Sequence, residues 1–232
     1  MATIEISTLA GDERFTAYLA EPEGTPRGAI IVIQEIFGVN EGIRRKCDRW
    51  AALGYLALAP DLFWRLEPRV ELDPDVEAEF KRALDLMGRF DQDGGIRDIE
   101  ATIREARRRL PQGGKVGCVG YCLGGRLAFM TAARTDVDAS VGYYAVGVDG
   151  LLHEKNAIAH PLMLHIAGDD GFVPPEVQAK MHEGLDDHPR VTLHDYPGED
   201  HGFAAEMGKR RSEEAARLAD ERTEAFFAEH LG

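Results

Sequence analysis

The sequence predicts one α/β domain over residues 1–232, with a mostly parallel central sheet flanked by helices on both faces. Short apolar runs that are typical of buried strands alternate along the chain with amphipathic helical patterns, and this alternation specifies a parallel sheet. The length of 232 residues suits one sizeable hydrophobic core, and the chain has neither an internal repeat nor a long linker.

The strands are predicted from apolar patterns of two kinds. Near the beginning, Ile4 and Ile6 alternate with polar residues, as in a strand with one buried face, and the pattern repeats from Phe15 to Leu19. The run AIIVI at residues 29–33 is continuously apolar, as in a strand buried on both faces. Further strands are predicted near residues 55–63, 115–120, 140–146, 161–168 and 190–196.

Helices are predicted where apolar residues recur at helical spacing between these strands. The patterns cover residues 41–53, 75–89, 94–109 and 212–231, and one further helix opens at Cys122. Pro174 and Pro175 indicate the start of another helix, because proline suits the first helical turn.

Charge and composition exclude several classes of protein. The formal net charge of -14, with no basic stripe to offset it, argues against binding to nucleic acid or to an anionic membrane surface. No apolar run approaches the roughly 20 residues of a membrane span, and no secretory signal is visible. The three cysteines form no CxxC pair and the histidines lack zinc-ligand spacing, so we expect a reduced cytoplasmic protein without a metal site.

Four chemically reactive side chains follow four predicted strands. Glu35 follows AIIVI, Cys122 follows KVGCVG, Asp170 follows PLMLHIAG and His201 follows RVTLHDY. Ligands of parallel α/β sheets bind at the carboxyl ends of the strands. The sequence therefore predicts that these four side chains share one site.

Cys122 lies in a motif with the spacing of a nucleophile elbow. Gly120 and Gly124 flank it in the G-x-nucleophile-x-G pattern of α/β-hydrolases, with cysteine at the usual serine position. The turn is so tight that the flanking positions need glycine, and the helix N-terminus beyond it favours developing negative charge. The motif alone is also compatible with a tight strand–helix turn that has no catalytic role.

A base and an acid follow the nucleophile in the order that α/β-hydrolases use. His201 is the candidate base, because a turn-forming PGED precedes it and Gly202 follows it. The spacing does not choose between Asp169 and Asp170 as the acid. Three other histidines are expected to be structural or superficial, namely His182, His188 and His194.

Glu35 has an unusual apolar setting, with Ile33, Ile36 and Phe37 around it. One interpretation is a solvated loop carboxylate. The other is a carboxylate near Cys122, which would disfavour the thiolate until a rearrangement. In that case, Glu35 is a second base or a lock against premature oxidation.

With these residues in place, the chain resembles the dienelactone hydrolase (carboxymethylenebutenolidase-type) family of α/β-hydrolases. The resemblance covers nearly the whole chain and is carried by QEIFGVN, APDLF, KVGCVGYCLGG, SVGYYAVG, HIAGDDGFVP, EDHGFA and ERTEAFF. It implies an α/β-hydrolase fold without a large lid domain. It also implies a hydrolase that needs no cofactor and acts on enol esters or lactones.

The resemblance also implies the roles of individual residues. Cys122, His201 and Asp170 would form a catalytic triad, and Glu35 would hold and then activate the cysteine. The backbone amides of Ile36 and Leu123 would form the oxyanion hole. Candidate substrate-binding residues are Phe37, Phe80, Lys81, Tyr121 and Phe203.

The chain departs from the family at two arginines that hold a substrate carboxylate in the archetypal enzymes. One falls just after the histidine, in HGFAAE, where Glu206 would repel an anion, and the other falls at Phe80. Lys81 or Arg65 could replace this clamp.

The sequence therefore predicts a thiol hydrolase of an ester or lactone with a small-molecule substrate. The oligomeric state and the natural substrate stay open. Two alternatives are a redox-responsive protein that oxidises Cys122 and a binding protein that keeps only the pocket.

Overall fold

The computed structural model describes residues 2–232, which contain one eight-stranded sheet in the order β1-β2-β4-β3-β5-β6-β7-β8. The strands β3 to β8 are mutually parallel, and β2 is antiparallel to both of its neighbours. The strands are β1 (Ala2–Ser7), β2 (Arg14–Ala20), β3 (Ala29–Ile33), β4 (Leu56–Pro60), β5 (Val116–Tyr121), β6 (Ala139–Tyr143), β7 (Leu162–Ala167) and β8 (Val191–Tyr196). The mostly parallel sheet predicted from the sequence is confirmed.

The burial of each strand follows from its place in the sheet. Every residue of β3, β4, β5, β6 and β7 is buried, as expected for strands that are covered on both faces. The edge strands β1 and β8 keep exposed residues, and their sequences are correspondingly more polar. The continuously apolar runs therefore identified the central strands correctly.

Six α-helices connect and cover these strands. They are α1 (Glu41–Ala52), α2 (Glu77–Arg89), α3 (Gln92–Arg109), α4 (Leu123–Arg134), α5 (Pro175–Leu185) and α6 (Glu213–Leu231). Each predicted helix is present, with Pro175 at the first position of α5. A 3-10 helix at Val148–Ala157 was not predicted, because its sequence VDGLLHEKNA lacks regular hydrophobic periodicity.

Helices lie on both faces of the sheet, as two glycines of β5 show. A Cβ added at Gly117 would meet the Phe227 side chain of α6, whereas one added at Gly120 would meet the backbone of α4. Residues three apart in a strand point to opposite faces, so α6 and α4 lie on opposite sides of β5. On the α6 side, Trp50 of α1 packs edge-on against Phe227, with ring centroids 5.4 Å apart.

Within residues 2–232, no helix combines the length and the apolar character that crossing a membrane requires.

Candidate active site

Cys122 lies between β5 and α4 in a backbone conformation that side-chain-bearing residues seldom adopt, with φ 57° and ψ −114°. The amide of Cys122 donates to the Tyr143 carbonyl at 3.0 Å, which fixes the turn to β6. A Cβ at Gly120 would lie 1.9 Å from the Gly124 carbonyl oxygen, and one at Gly124 would lie 2.4 Å from the Ile33 carbonyl oxygen. Both glycines are therefore required for the close approach of α4 to β3 and β5.

Two backbone segments meet beside Cys122. Leu123 is the first residue of α4, so its amide has no carbonyl partner within the helix. Ile36 lies in the turn after β3, and it lines the same cavity as Cys122. These are the two residues whose amides the sequence resemblance assigns to an oxyanion hole.

His201 and Asp170 are in direct contact. His201 Nδ1 lies 2.8 Å from Asp170 Oδ2, and both side chains are buried. The other Asp170 oxygen, Oδ1, accepts a hydrogen bond from the Phe172 amide at 2.8 Å. The neighbouring Asp169 is exposed, so Asp170 is the aspartate that the fold brings to His201.

The surroundings of His201 favour its protonated form. Burial alone would lower the pKa of His201, but hydrogen bonds to Asp170 and Cys122, together with their charges, raise it to about 10. A protonated imidazole stabilises a neighbouring thiolate, which is the nucleophilic form of cysteine. The geometry thus brings together a thiol, an imidazole and a carboxylate.

Glu35 lies at the same cavity and is not a solvated loop carboxylate. Its side chain is only partly accessible, and its Oε1 accepts a hydrogen bond from Tyr144 Oη at 3.3 Å. Burial raises the pKa of Glu35, while the positive charges of His201 and Lys46 counteract that rise. A carboxyl group with a raised pKa accepts a proton more readily than an ordinary glutamate and can exchange it with a neighbour.

Lys46 of α1 is a buried cation behind Glu35 that sequence reasoning missed. Its Nζ lies 3.4 Å from Glu206 Oε1 and 4.5 Å from the centroid of the Tyr121 ring. Lys46 and Glu35 line the same small void. In the sequence, Lys46 belongs to a charged helical pattern, so nothing local distinguishes it from a solvated lysine.

A cavity of about 540 Å³ opens above Cys122, His201 and Glu35. Its walls are mostly apolar and come from α2 and from the loops after β3, β4, β6, β7 and β8. Residues of the apolar wall include Phe37, Phe80, Leu84, Met87, Val146 and Phe172. A volume of this size is typical of sites for small organic ligands.

The substrate-binding candidates divide into two groups. Phe37 and Phe80 line the cavity, with ring centroids 5.9 Å apart. Tyr121 and Phe203 do not line it, because both rings are buried beneath the site, where Tyr121 covers Lys46. Lys81 does not line the cavity either, since its exposed side chain pairs with Glu77 one turn earlier on α2, at 2.5 Å.

The predicted consequences of losing the two family arginines also need correction. Arg65 cannot form a replacement clamp, because it binds the buried Asp98 at 2.5 Å. Glu206 does not line the cavity; its carboxylate faces Lys46 and Arg211, each at 3.4 Å. The lysine and arginine that do line the cavity within residues 2–232 are Lys209 and Arg210, which sequence reasoning missed.

The remaining two cysteines lie away from this site. Cys47 and Cys118 are free and fully buried, and Cys118 forms a hydrogen bond with Ser140 at 3.3 Å. Burial raises the pKa of both thiols, that of Cys118 to about 12. Cys122 is thus the cysteine that the cavity reaches.

Comparison with known proteins identifies the group to which this chain is similar. A model of the dienelactone hydrolase family matches residues 15–231. A protein of Azospirillum brasilense assigned by name to the carboxymethylenebutenolidases is 48% identical over 231 residues, covering 98% of this chain and 99% of that protein. The carboxymethylenebutenolidase of Pseudomonas putida is 40% identical over 214 residues, covering 92% and 91%.

Solved structures agree with these sequence matches. The crystal structure of a protein from Klebsiella pneumoniae subsp. pneumoniae MGH 78578, assigned to the dienelactone hydrolases, has a TM-score of 0.82 at 28% identity. That similarity covers 98% of this chain and 99% of the other. The predicted α/β-hydrolase fold is confirmed, and no large lid domain is present within residues 2–232. The chain therefore belongs to the dienelactone hydrolase family, whose members are hydrolases.

Proposed function

We propose that this hydrolase cleaves a carboxylic ester or lactone through Cys122, His201 and Asp170. Cys122 Sγ attacks the carbonyl carbon, and the ring opens or the alcohol leaves as an acyl-thioester forms on the cysteine. His201 carries the proton from the thiol to the leaving oxygen, and Asp170 orients the imidazole and stabilises its charged form. The observation that carries this proposal is the buried His201–Asp170 pair at 2.8 Å, placed beside the cysteine of the elbow.

The negative charge of the tetrahedral intermediate needs donors that are already in place. The amide of Leu123, at the N-terminus of α4, and the amide of Ile36 are the donors that we propose. Support comes from their position beside Cys122 and from the contact of Gly124 with the Ile33 carbonyl, which fixes α4 against the end of β3.

Water must then release the acyl group from Cys122. His201 is the base that we propose for this step, and Glu35 is a second titratable group within the same cavity. Slow deacylation is the usual weakness of a thiol in this role. An enol lactone would ease it, because the enolate formed on ring opening can help to activate water. The name carboxymethylenebutenolidase of the relatives supports a lactone substrate for this chain.

The test is single-turnover hydrolysis of 4-nitrophenyl acetate with intact-mass detection. We expect a burst of nitrophenolate and an acetyl adduct on Cys122, both lost in Cys122→Ala and His201→Ala. The matched control is His182→Ala, because His182 is a partly exposed histidine on α5 and does not line the cavity. Turnover that persists in Cys122→Ala would overturn the thiol mechanism.

A chain with neither adduct nor turnover would favour the redox alternative. In that case, peroxide should convert Cys122 to a sulfenic acid that a dimedone probe labels. The three free thiols suit a reducing compartment, and we propose the cytoplasm.

A further inference from the structure

We infer that the cavity is specific for neutral esters with a bulky apolar, preferably aromatic, group. This inference rests on the proposed function and adds the class of substrate. Three observations support it: the inner wall is apolar, the lysine and arginine lie on an exposed loop, and large apolar side chains are exposed at the mouth.

The inner wall offers apolar contact where an anionic substrate would need a cation. Phe37 and Phe80 form a tilted aromatic pair, and Met87 continues this surface along α2. A substrate ring or alkyl chain buried here gains hydrophobic stabilisation. A carboxylate in the same place would be disfavoured, because it would lose its hydration beside aromatic rings and share the cavity with Glu35.

The lysine and arginine at the cavity lie on an exposed loop, where Arg210 Nη1 donates to the His201 carbonyl at 3.4 Å. Lys209 and Arg210 are both exposed, so solvent and salt screen their attraction for an anion. Asp75 offsets them, because its carboxylate lies close to Gly208, within 3.6 Å of a Cβ built there. Asp75 lines the cavity together with the two cations and offsets part of their charge, whereas the Glu77 carboxylate at the mouth is already paired with Lys81.

Apolar side chains continue from the wall to the outside of the mouth. Phe172 is 51% exposed and Leu84 is 39% exposed, and both line the cavity. Large apolar side chains that remain exposed around a cavity indicate a surface that a ligand covers. An apolar group of the substrate therefore contacts Leu84 on α2 and Phe172, whose ring centroid lies 4.8 Å from that of His201.

The test compares kcat/KM for matched 4-nitrophenyl esters. The acetate, the hexanoate and the 4-phenylbutyrate measure the effect of apolar size, and the adipate monoester replaces the methyl end of the hexanoate with a carboxylate. We expect the phenylbutyrate to exceed the acetate at least tenfold and the hexanoate to exceed the adipate monoester at least tenfold. Equal or reversed preferences would overturn the inference.

Two leucine variants test where the apolar acyl group binds. Leu84→Ala should reduce the phenylbutyrate-to-acetate ratio at least threefold. Leu218→Ala is the matched control, because Leu218 is 38% exposed on α6, does not line the cavity and should leave the ratio unchanged. A ratio that is the same in both variants would contradict the proposed path of the apolar group.

A preference for the anionic ester would contradict this inference. If the adipate monoester is preferred and Arg210→Gln abolishes that preference, the cavity binds carboxylates through Arg210 and the inference is wrong. If the inference fails in this way, the acetyl adduct on Cys122 should still form, because it does not depend on which acyl group is preferred. The adduct therefore shows that the proposed function itself has not failed. Absence of both adduct and turnover would overturn the function and the inference together.

Discussion

The close contact between α4 and β3 makes Gly124→Ala a stringent test of the elbow. The new Cβ would lie 2.4 Å from the Ile33 carbonyl oxygen and 2.5 Å from that of Gln34. Real Cβ atoms essentially never approach closer than 3.0 Å, so α4 and the end of β3 must separate by about 0.6 Å. Both obstacles are backbone atoms, which cannot rotate away as a flexible side chain can.

The expected loss of stability follows from this overlap. Overpacking of a well-packed interior costs roughly 1–3 kcal/mol, and displacement of a helix from its sheet belongs at the upper end of that range. We therefore expect Gly124→Ala to lower the free energy of unfolding by about 2–3 kcal/mol. For a chain of this length, that loss corresponds to a decrease in Tm of roughly 4–12 °C.

The assay is thermal and denaturant unfolding followed by circular dichroism, with Gly88→Ala as the matched control. Gly88 is a helical glycine in α2 whose added Cβ would meet nothing within 4 Å. Alanine there should stabilise the chain by up to about 1 kcal/mol. The packing argument would be refuted if the two variants had the same stability, or if Gly124→Ala stayed within about 0.5 kcal/mol of the wild type.

Three further predictions concern titratable groups. The pKa of His201 is raised from 6.5 to about 10, so its contribution to stability is full below pH 6.5 and is lost as the pH rises toward 10. Urea unfolding at several pH values should show this loss, and Asp170→Asn should reduce it. Burial lowers the pKa of His165 well below 6.5, so stability should fall as the pH drops below 6.5, and His165→Gln should weaken that dependence. Lys46→Met should raise the pKa of Glu35 further and shift the corresponding limb of the kcat/KM profile to higher pH.

Each of these predictions has a defined contrary result. Alkaline loss of stability that is unchanged in Asp170→Asn would show that the His201–Asp170 pair does not cause it. If stability falls with decreasing pH in His165→Gln as it does in the wild type, His165 is not the source of that fall. For Lys46→Met, the shift should disappear when Glu35→Gln is also present, and a shift that persists in the double variant would assign a merely structural role to Lys46.

Local sequence patterns were sufficient for the strands and helices. Continuous apolar runs marked the buried parallel strands, and the glycine spacing around Cys122 marked the elbow, because both are imposed by backbone geometry over a few residues. The 3-10 helix at Val148–Ala157 carries no such periodicity and was missed.

Side-chain direction in the site was less predictable than the backbone. Phe80 and Lys81 are adjacent on α2, yet one lines the cavity and the other pairs with Glu77 in solvent. Lys209 and Arg210 reach the cavity through the course of an irregular loop, and Lys46 does so through the packing of α1 beneath Glu35. These placements depend on tertiary contacts, which no local pattern in the sequence records.

Because the three cysteines differ in burial, their reactivity reports how far the folded chain opens. A small alkylating reagent should modify one thiol per folded chain, at Cys122, since Cys47 and Cys118 are fully enclosed. Modification of all three would require α1 and β5 to leave the core. The number of labelled thiols per chain therefore distinguishes motions at the cavity from opening of the sheet itself, without any engineered label.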